Sequence, residues 1–203
     1  MSPLQRRMLK ELLQHLDELN VHIENLNDEI DNFMKPEEKQ ASQMIQDVTG
    51  IGNTSAQAII AVIGTDMERF PSDRHISSWA GLCPGDNISA KKRKGGKIRK
   101  GNALLKSTLV LCAHAAVRHK RSYFHAQFKR ISTHRGKKRA YVAVAHSILI
   151  AIYHILKDGV KYQDLGAEYY NQFNAERKIH AYLKKLKALA VSYTHLRAHE
   201  TRH

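Results

Sequence analysis

Val142-Ala143-Val144-Ala145-His146-Ser147-Ile148-Leu149-Ile150-Ala151-Ile152-Tyr153-His154-Ile155-Leu156 is the longest apolar stretch of the chain, and whether it crosses a membrane or fills a core decides the fold. His146, Ser147 and His154 interrupt it, which leaves it short of the ~18 uncharged residues that a bilayer crossing needs. It reads as a buried helix, and membrane spanning is excluded on that reading. Working outward, Asn102 is a good N-cap for a helix carrying Leu104, Leu105, Leu109, Leu111, Cys112, Ala115 and Ala116 on one buried face. Tyr123, Phe124, Phe128 and Ile131 mark another helix, and Tyr169, Tyr170, Ile179, Tyr182, Leu183 and Leu186 one or two more. A chain of 203 residues, 42% hydrophobic, can bury such a core without staples, so the expected class is mostly α. Two distant cysteines, Cys83 and Cys112, argue against a disulfide scaffold, a zinc ribbon or a redox couple. With no leading export signal, a cytoplasmic chain is expected.

Charge narrows the function. Lys and Arg number 33 against 19 Asp and Glu, a net of +14. Residues 1–48 hold 5 basic and 10 acidic side chains, so their net of −5 leaves +19 on residues 49–203. A surplus of this size in one part of the chain is the footprint of a polyanion partner. No basic amphipathic anchor or lipidation signal supports a membrane, so nucleic acid leads.

The acidic part has its own pattern. Leu9, Leu12, Leu16, Leu19, Ile23, Leu26, Ile30 and Phe33 recur in steps of three and four, the spacing of a coiled-coil seam, and Pro36 closes the run. Two readings stand level: pairing with a second copy, or an amphipathic helix packed on its own domain. Beyond it, Thr49-Gly50-Ile51-Gly52 precedes a small-residue helix over 56–63 and resembles a helix-hairpin-helix. Glycines allow a tight turn there, and its exposed N–H groups, Gly50 and Gly52 included, can receive a phosphate oxygen; the turn can equally do no more than join two core helices. Phe70-Pro71-Ser72-Asp73 marks a stop and a fresh N-cap, after which Ile76, Trp79, Ala80 and Leu82 form an apolar face. Trp79 is read there as packed, not as stacked on a base.

The chemistry is expected in the loop Ile88-Ser89-Ala90-Lys91-Lys92-Arg93-Lys94-Gly95-Gly96-Lys97-Ile98-Arg99-Lys100-Gly101-Asn102, which has seven basic residues and three glycines. Such a loop, flexible or hairpin-like, repels itself until a polyanion neutralises it. Ser89 could attack a phosphodiester while Arg93, Lys94, Lys97, Arg99 and Lys100 stabilise the charged transition state, with Lys91 and Lys92 adding phosphate contacts. On residue chemistry alone, a loop serine with no adjacent His or Asp base more often caps a turn. The basic turn His134-Arg135-Gly136-Lys137-Lys138-Arg139 is a second phosphate contact or a solvated connector. His114, His119, His125, His146 and His154 lack ligand spacing and read as ordinary core or surface histidines.

Residues 48–105, with Val48-Thr49-Gly50-Ile51-Gly52, Phe70, Ser77-Ser78-Trp79-Ala80-Gly81-Leu82-Cys83-Pro84-Gly85, Ser89-Ala90 and Lys97-Ile98-Arg99-Lys100-Gly101-Asn102-Ala103-Leu104-Leu105, resemble the transposases of the insertion-sequence 110 family, which includes bridge-RNA-guided recombinases. The resemblance implies a coiled-coil connector over 1–45 and a carboxyl-terminal transposase domain over 46–190. It implies a serine that joins covalently to a DNA end, at Ser89. It also implies an amino-terminal RuvC-like domain that binds magnesium; nothing upstream of the seam carries one, so the chain reads as a fragment with no cofactor of its own. Lys91 stands where the family usually has glycine. Residues 191–203 resemble translated adapter or vector sequence, which sets aside the spacing of His195, His199 and His203 as a metal signal.

Three functions follow as expectations. The first is a DNA transposase or recombinase fragment that cleaves and rejoins strands through Ser89, its partners DNA, a guide RNA in the full-length protein, and a second copy through the coiled coil. The alternative is a non-catalytic nucleic-acid-binding and dimerising module. The third is a coiled-coil adaptor with an incidental basic surface.

Overall fold

A computed structural model describes residues 1–83, 87–89, 92–94, 100–169 and 179–187. The fold is helical, as expected. α1 (Pro3–Phe33) opens with Ser2 as N-cap: the Gln5 N–H donates to Ser2 Oγ at 3.3 Å and the Ser2 N–H to Gln5 Oε1 at 2.8 Å, which satisfies two orphan donors. α1 buries no residue, and its seam stays open, with Leu12 at 65% and Leu26 at 58% exposure. Its contact with the body is confined to its last turns: Gln57 Nε2 donates to Asp31 Oδ1 at 2.8 Å and to the Asn27 carbonyl at 3.3 Å, and Thr54 Oγ1 donates to Asn27 Oδ1 at 3.2 Å. Packing on its own domain therefore leaves most of the seam uncovered.

Pro36, read as a stop, also starts the next helix. It occupies the first turn of α2 (Pro36–Gln46), where its missing N–H costs nothing and Glu37 and Glu38 oppose the helix dipole. α2 and α3 (Asn53–Ile63) pack on each other and bury Ala41, Ile45, Ile59, Ile60 and Ile63, and Val48 and Ile51 in the turn between them are buried too. A short 3-10 turn (Met67–Arg69) leads to α4 (Asp73–Trp79); Ser72 stands at its N-cap position as expected, but its hydroxyl pairs with His75 Nδ1 at 2.9 Å and accepts no helix N–H. α4 ends with the Gly81 N–H on the Ser78 carbonyl and the Leu82 N–H on the Ser77 carbonyl. Then come an antiparallel ribbon, β1 (Asn87–Ser89) and β2 (Lys92–Lys94), and three longer helices, α5 (Ala103–Arg118), α6 (Tyr123–Arg135) and α7 (Lys137–Asp158).

α7 is the axis of the body, packed on α2, α4, α5 and α6. Here the sequence reading needs correction. The helix built on the apolar stretch runs 22 residues and is long and apolar enough to cross a membrane. Its neighbours cover it instead: Ala140, Val144, Ile148 and Ile152 repeat every four residues, and with Ala145 and Leu149 they are wholly buried. Ser147, which looked like an interruption, accepts a 2.8 Å hydrogen bond from Gln127 Nε2 and ties α6 to α7. Burial lowers the pKa of His146, with Asp73 acting in the opposite direction. His146 is thus favoured in its neutral form, which suits a half-buried position.

Candidate nucleic-acid interface

The basic loop has a ribbon in it. Across β1 and β2 the facing pairs are Asn87 with Lys94, Ile88 with Arg93, and Ser89 with Lys92, so the candidate nucleophile stands on the strand opposite the run of cations. Opposed strand positions lie about 4.5–5.5 Å apart at Cα, which brings Ser89 and Lys92 together. Lys100 is described and exposed at the loop's end, whereas Lys91, Lys97 and Arg99 lie outside the described residues.

The foot of this loop is fixed by contact. A Cβ on Gly101 would lie 2.3 Å from the Gly81 nitrogen and 2.4 Å from the Ala80 carbonyl carbon, so the returning chain is pressed against the end of α4 where only glycine fits. The Asn102 N–H donates to the Trp79 carbonyl at 3.4 Å, and Asn102 Oδ1 accepts from the Leu105 N–H at 2.9 Å, the expected cap of α5. Between α4 and this foot opens a cleft of about 730 Å³ that His75, Ser78, Trp79, Lys100, Gly101 and Asn102 line. Trp79 departs from its reading as a packed residue, for it is 41% exposed. Ile76 and Ser77 take the buried face of this short helix, with Ala80 buried at its cap, and leave the indole at the edge. Phe70 supports one side of the ring, with centroids 5.6 Å apart and planes at 53°. Phe70 is held in turn by Tyr153, whose hydroxyl donates to the Phe70 carbonyl at 3.0 Å.

The two glycines of the hairpin turn part company. Gly50 (φ +96°) faces α5, where an added Cβ would meet the Cys112 carbonyl oxygen at 2.5 Å; Gly52 is exposed and N-caps α3. Beside them Thr49 Oγ1 donates to Asp164 at 3.3 Å. Asp164 also accepts the Tyr123 N–H at 3.0 Å and the Gly166 N–H at 2.8 Å, and so anchors the segment after α7 to the turn and to the start of α6.

Residues 42–129 match the family model described as Transposase IS116/IS110/IS902 family. Over that segment the chain is similar to the transposases of the IS116/IS110/IS902 family. It is 31% identical over 108 residues to "Transposase for insertion sequence element IS1111A" of Coxiella burnetii (strain RSA 493 / Nine Mile phase I), covering 51% of this chain and 29% of that protein. It is 28% identical over 131 residues to "Insertion element IS110 uncharacterized 43.6 kDa protein" of Streptomyces coelicolor (strain ATCC BAA-471 / A3(2) / M145), covering 63% of this chain and 31% of that protein. The chain thus spans about three-tenths of the length of the curated relatives it matches.

The family segment takes in Gly50, Gly52, Trp79, Ser89 and all seven loop cations. Outside it, the turn between α6 and α7 presents Arg135, Lys137, Lys138 and Arg139 to solvent. Three of these cations sit on the first turn of α7, which has no side-chain cap and no acidic residue to oppose its dipole. The histidines have local duties: His125 Nδ1 donates to the Val117 carbonyl at 2.7 Å, His114 stacks on Tyr141 at 3.6 Å, and His154 meets Asp158 at 2.9 Å. Among the described residues no three His, Cys, Asp or Glu side chains gather to hold a metal ion, so they offer no fit to magnesium. Sequence reasoning named Lys100 but missed the cleft that it lines with His75, and it missed Asp164. The tail histidines His195, His199 and His203 lie outside the described residues.

Proposed function

We propose that this chain is the DNA-binding and strand-transferring part of a transposase, with Ser89 as the nucleophile. The Ser89 hydroxyl attacks a phosphodiester, the bond from phosphorus to the leaving strand's oxygen breaks, and that oxygen takes up a proton. The phosphoserine link keeps the energy of the broken bond, so a strand hydroxyl can attack it, free the serine and reseal the DNA with no nucleotide cofactor. Lys91, Lys92, Arg93, Lys94, Lys97, Arg99 and Lys100 hold phosphates and offset the charge that gathers at phosphorus. Gly52, exposed at the start of α3, adds a backbone contact; Gly50 shapes the turn that carries it. Magnesium belongs to residues outside this chain, and no step here runs through it. A guide RNA is a partner of the full-length protein, a second copy pairs through the α1 seam, and the work is done in the cytoplasm.

The observation that carries this reading is the family match over 42–129, which spans the loop where Ser89 faces Lys92 across the ribbon. The test is covalent trapping on a nicked target duplex, with the chain extended to the length of its relatives. A protein–DNA adduct that survives denaturation and vanishes in Ser89→Ala is the expected result. An adduct that persists in Ser89→Ala removes the serine from the mechanism. Salt-sensitive binding with no adduct in either protein leaves the non-catalytic binding module.

A further inference from the structure

We propose that the cleft between α4 and the foot of the basic loop is a stacking site for a single unpaired nucleobase, with Trp79 as its platform. This rests on the reading above that the chain binds nucleic acid. The indole is 41% exposed although it stands within a folded body, and it is not free to collapse inward. Phe70 backs it at 5.6 Å, and the Tyr153 hydroxyl fixes Phe70 from α7, so the exposed part of the ring is pre-set before any ligand arrives.

The walls suit a base and the phosphate next to it. Lys100 supplies a cation, His75 an imidazole and Ser78 a hydroxyl, and no carboxylate is among the described residues that line the cleft. Asn102 spends its Oδ1 on the cap of α5, which leaves its amide N–H groups as donors. The volume of about 730 Å³ lies within the size range of small-ligand sites. Stacking on an indole reads the flat face that every base has, so the site takes a base in any sequence context but only one freed from its partner. Gly101, jammed against Ala80 and Gly81, keeps Lys100 beside the indole. Cations on the loop would hold the strand while the cleft takes one base from it.

Trp79 is the only tryptophan in the chain and therefore reports on itself. The full 203-residue chain is titrated with three single strands of equal length: DNA, RNA of the same sequence, and abasic DNA. Binding is followed by the anisotropy of an end label and stacking by tryptophan emission. Base-bearing strands are expected to quench the emission, while the abasic strand binds in a salt-dependent way and leaves it nearly unchanged. Stronger quenching by DNA or by RNA supports the site and assigns the strand that supplies the base. Trp79→Ala should weaken the base-bearing strand roughly 5- to 100-fold and the abasic strand little. Equal quenching by the abasic strand overturns the proposal, as does a Trp79→Ala chain that binds both strands like the parent. The quenching comparison uses the unaltered chain, so it does not depend on the variant folding. Should no strand bind at all, the nucleic-acid reading itself falls and takes this site with it; binding without quenching removes only the site.

Discussion

Gly50 and Gly52 look alike in sequence, and their surroundings set a measurable contrast between them. Gly50 holds φ +96°, and a Cβ there would lie 2.5 Å from the Cys112 carbonyl oxygen, 2.6 Å from the Ala116 nitrogen and 2.7 Å from the Ala116 Cβ. Gly50→Ala meets two penalties. A left-handed backbone costs an L-residue about 1–2 kcal/mol. Forcing a methyl group into a filled site costs about 1–3 kcal/mol, and here the nearest atoms belong to the α5 backbone and cannot swing aside. The total of about 2–5 kcal/mol is a large part of the 5–15 kcal/mol that typically keeps a domain folded. With a urea slope of about 2 kcal/mol/M, the unfolding midpoint drops by roughly 1–2.5 M. Gly52→Ser is the control: its φ is −101°, nothing lies within 4 Å of an added Cβ, and serine is a good N-cap for α3. Its stability is expected to stay or to rise by a few tenths of a kcal/mol. Urea unfolding followed by far-ultraviolet circular dichroism decides the matter. If Gly50→Ala unfolds with the parent, or Gly52→Ser loses as much, Gly50 is not the packing residue described here.

Four further outcomes are expected. Burial first, and Asp164 second, push the Tyr162 phenol up to about 12 against the Thr49 hydrogen bond, from an ordinary 10.0. The folded chain then holds that proton more tightly than the unfolded chain, so its contribution to stability is complete below pH 10.0 and is lost as pH rises through about 12; thermal melts of Tyr162→Phe should lack this decline. Tyr153→Phe strips the Phe70 carbonyl of its buried donor and should cost about 1–3 kcal/mol in the same urea assay, no change meaning that the bond contributes nothing. Binding to duplex DNA through about six loop cations should give a slope of log affinity against log salt near −5, and a slope near zero excludes phosphate contact by the loop. Sedimentation equilibrium should show a dimer that Leu19→Lys returns to monomer, since Leu19 lies in the open seam at 47% exposure; a dimer that tolerates the lysine is held elsewhere.

Much of the helix layout was legible because caps and periodicity are local. Ser72 and Asn102 each mark a helix start in a way that neighbouring residues dictate, and a helix over Leu9 to Phe33 follows from its spacing. The basic loop proved hairpin-like, with strands at 87–89 and 92–94. What escaped depends on partners distant in sequence. Thr49 meets Asp164 across 115 positions, and Gly50 is explained by α5, neither of which a turn motif displays. Trp79 shared core spacing with Ile76, but a helix of seven residues has room to bury only one narrow stripe, and the indole fell outside it. The apolar stretch was read as too short because polar residues were counted as breaks, whereas Ser147 finds its partner on α6.

The 31 residues of α1, at about 1.5 Å each, make a rod of about 46 Å that meets the body at one end. Such a rod is a ruler. Were two copies to zip in the same direction, their bodies would lie at one end of the rod. Zipped head to tail, they would stand a rod length apart, about 13 base-pair steps of a double helix. In such a pair the polarity of the zipper would set how far apart the two bodies act.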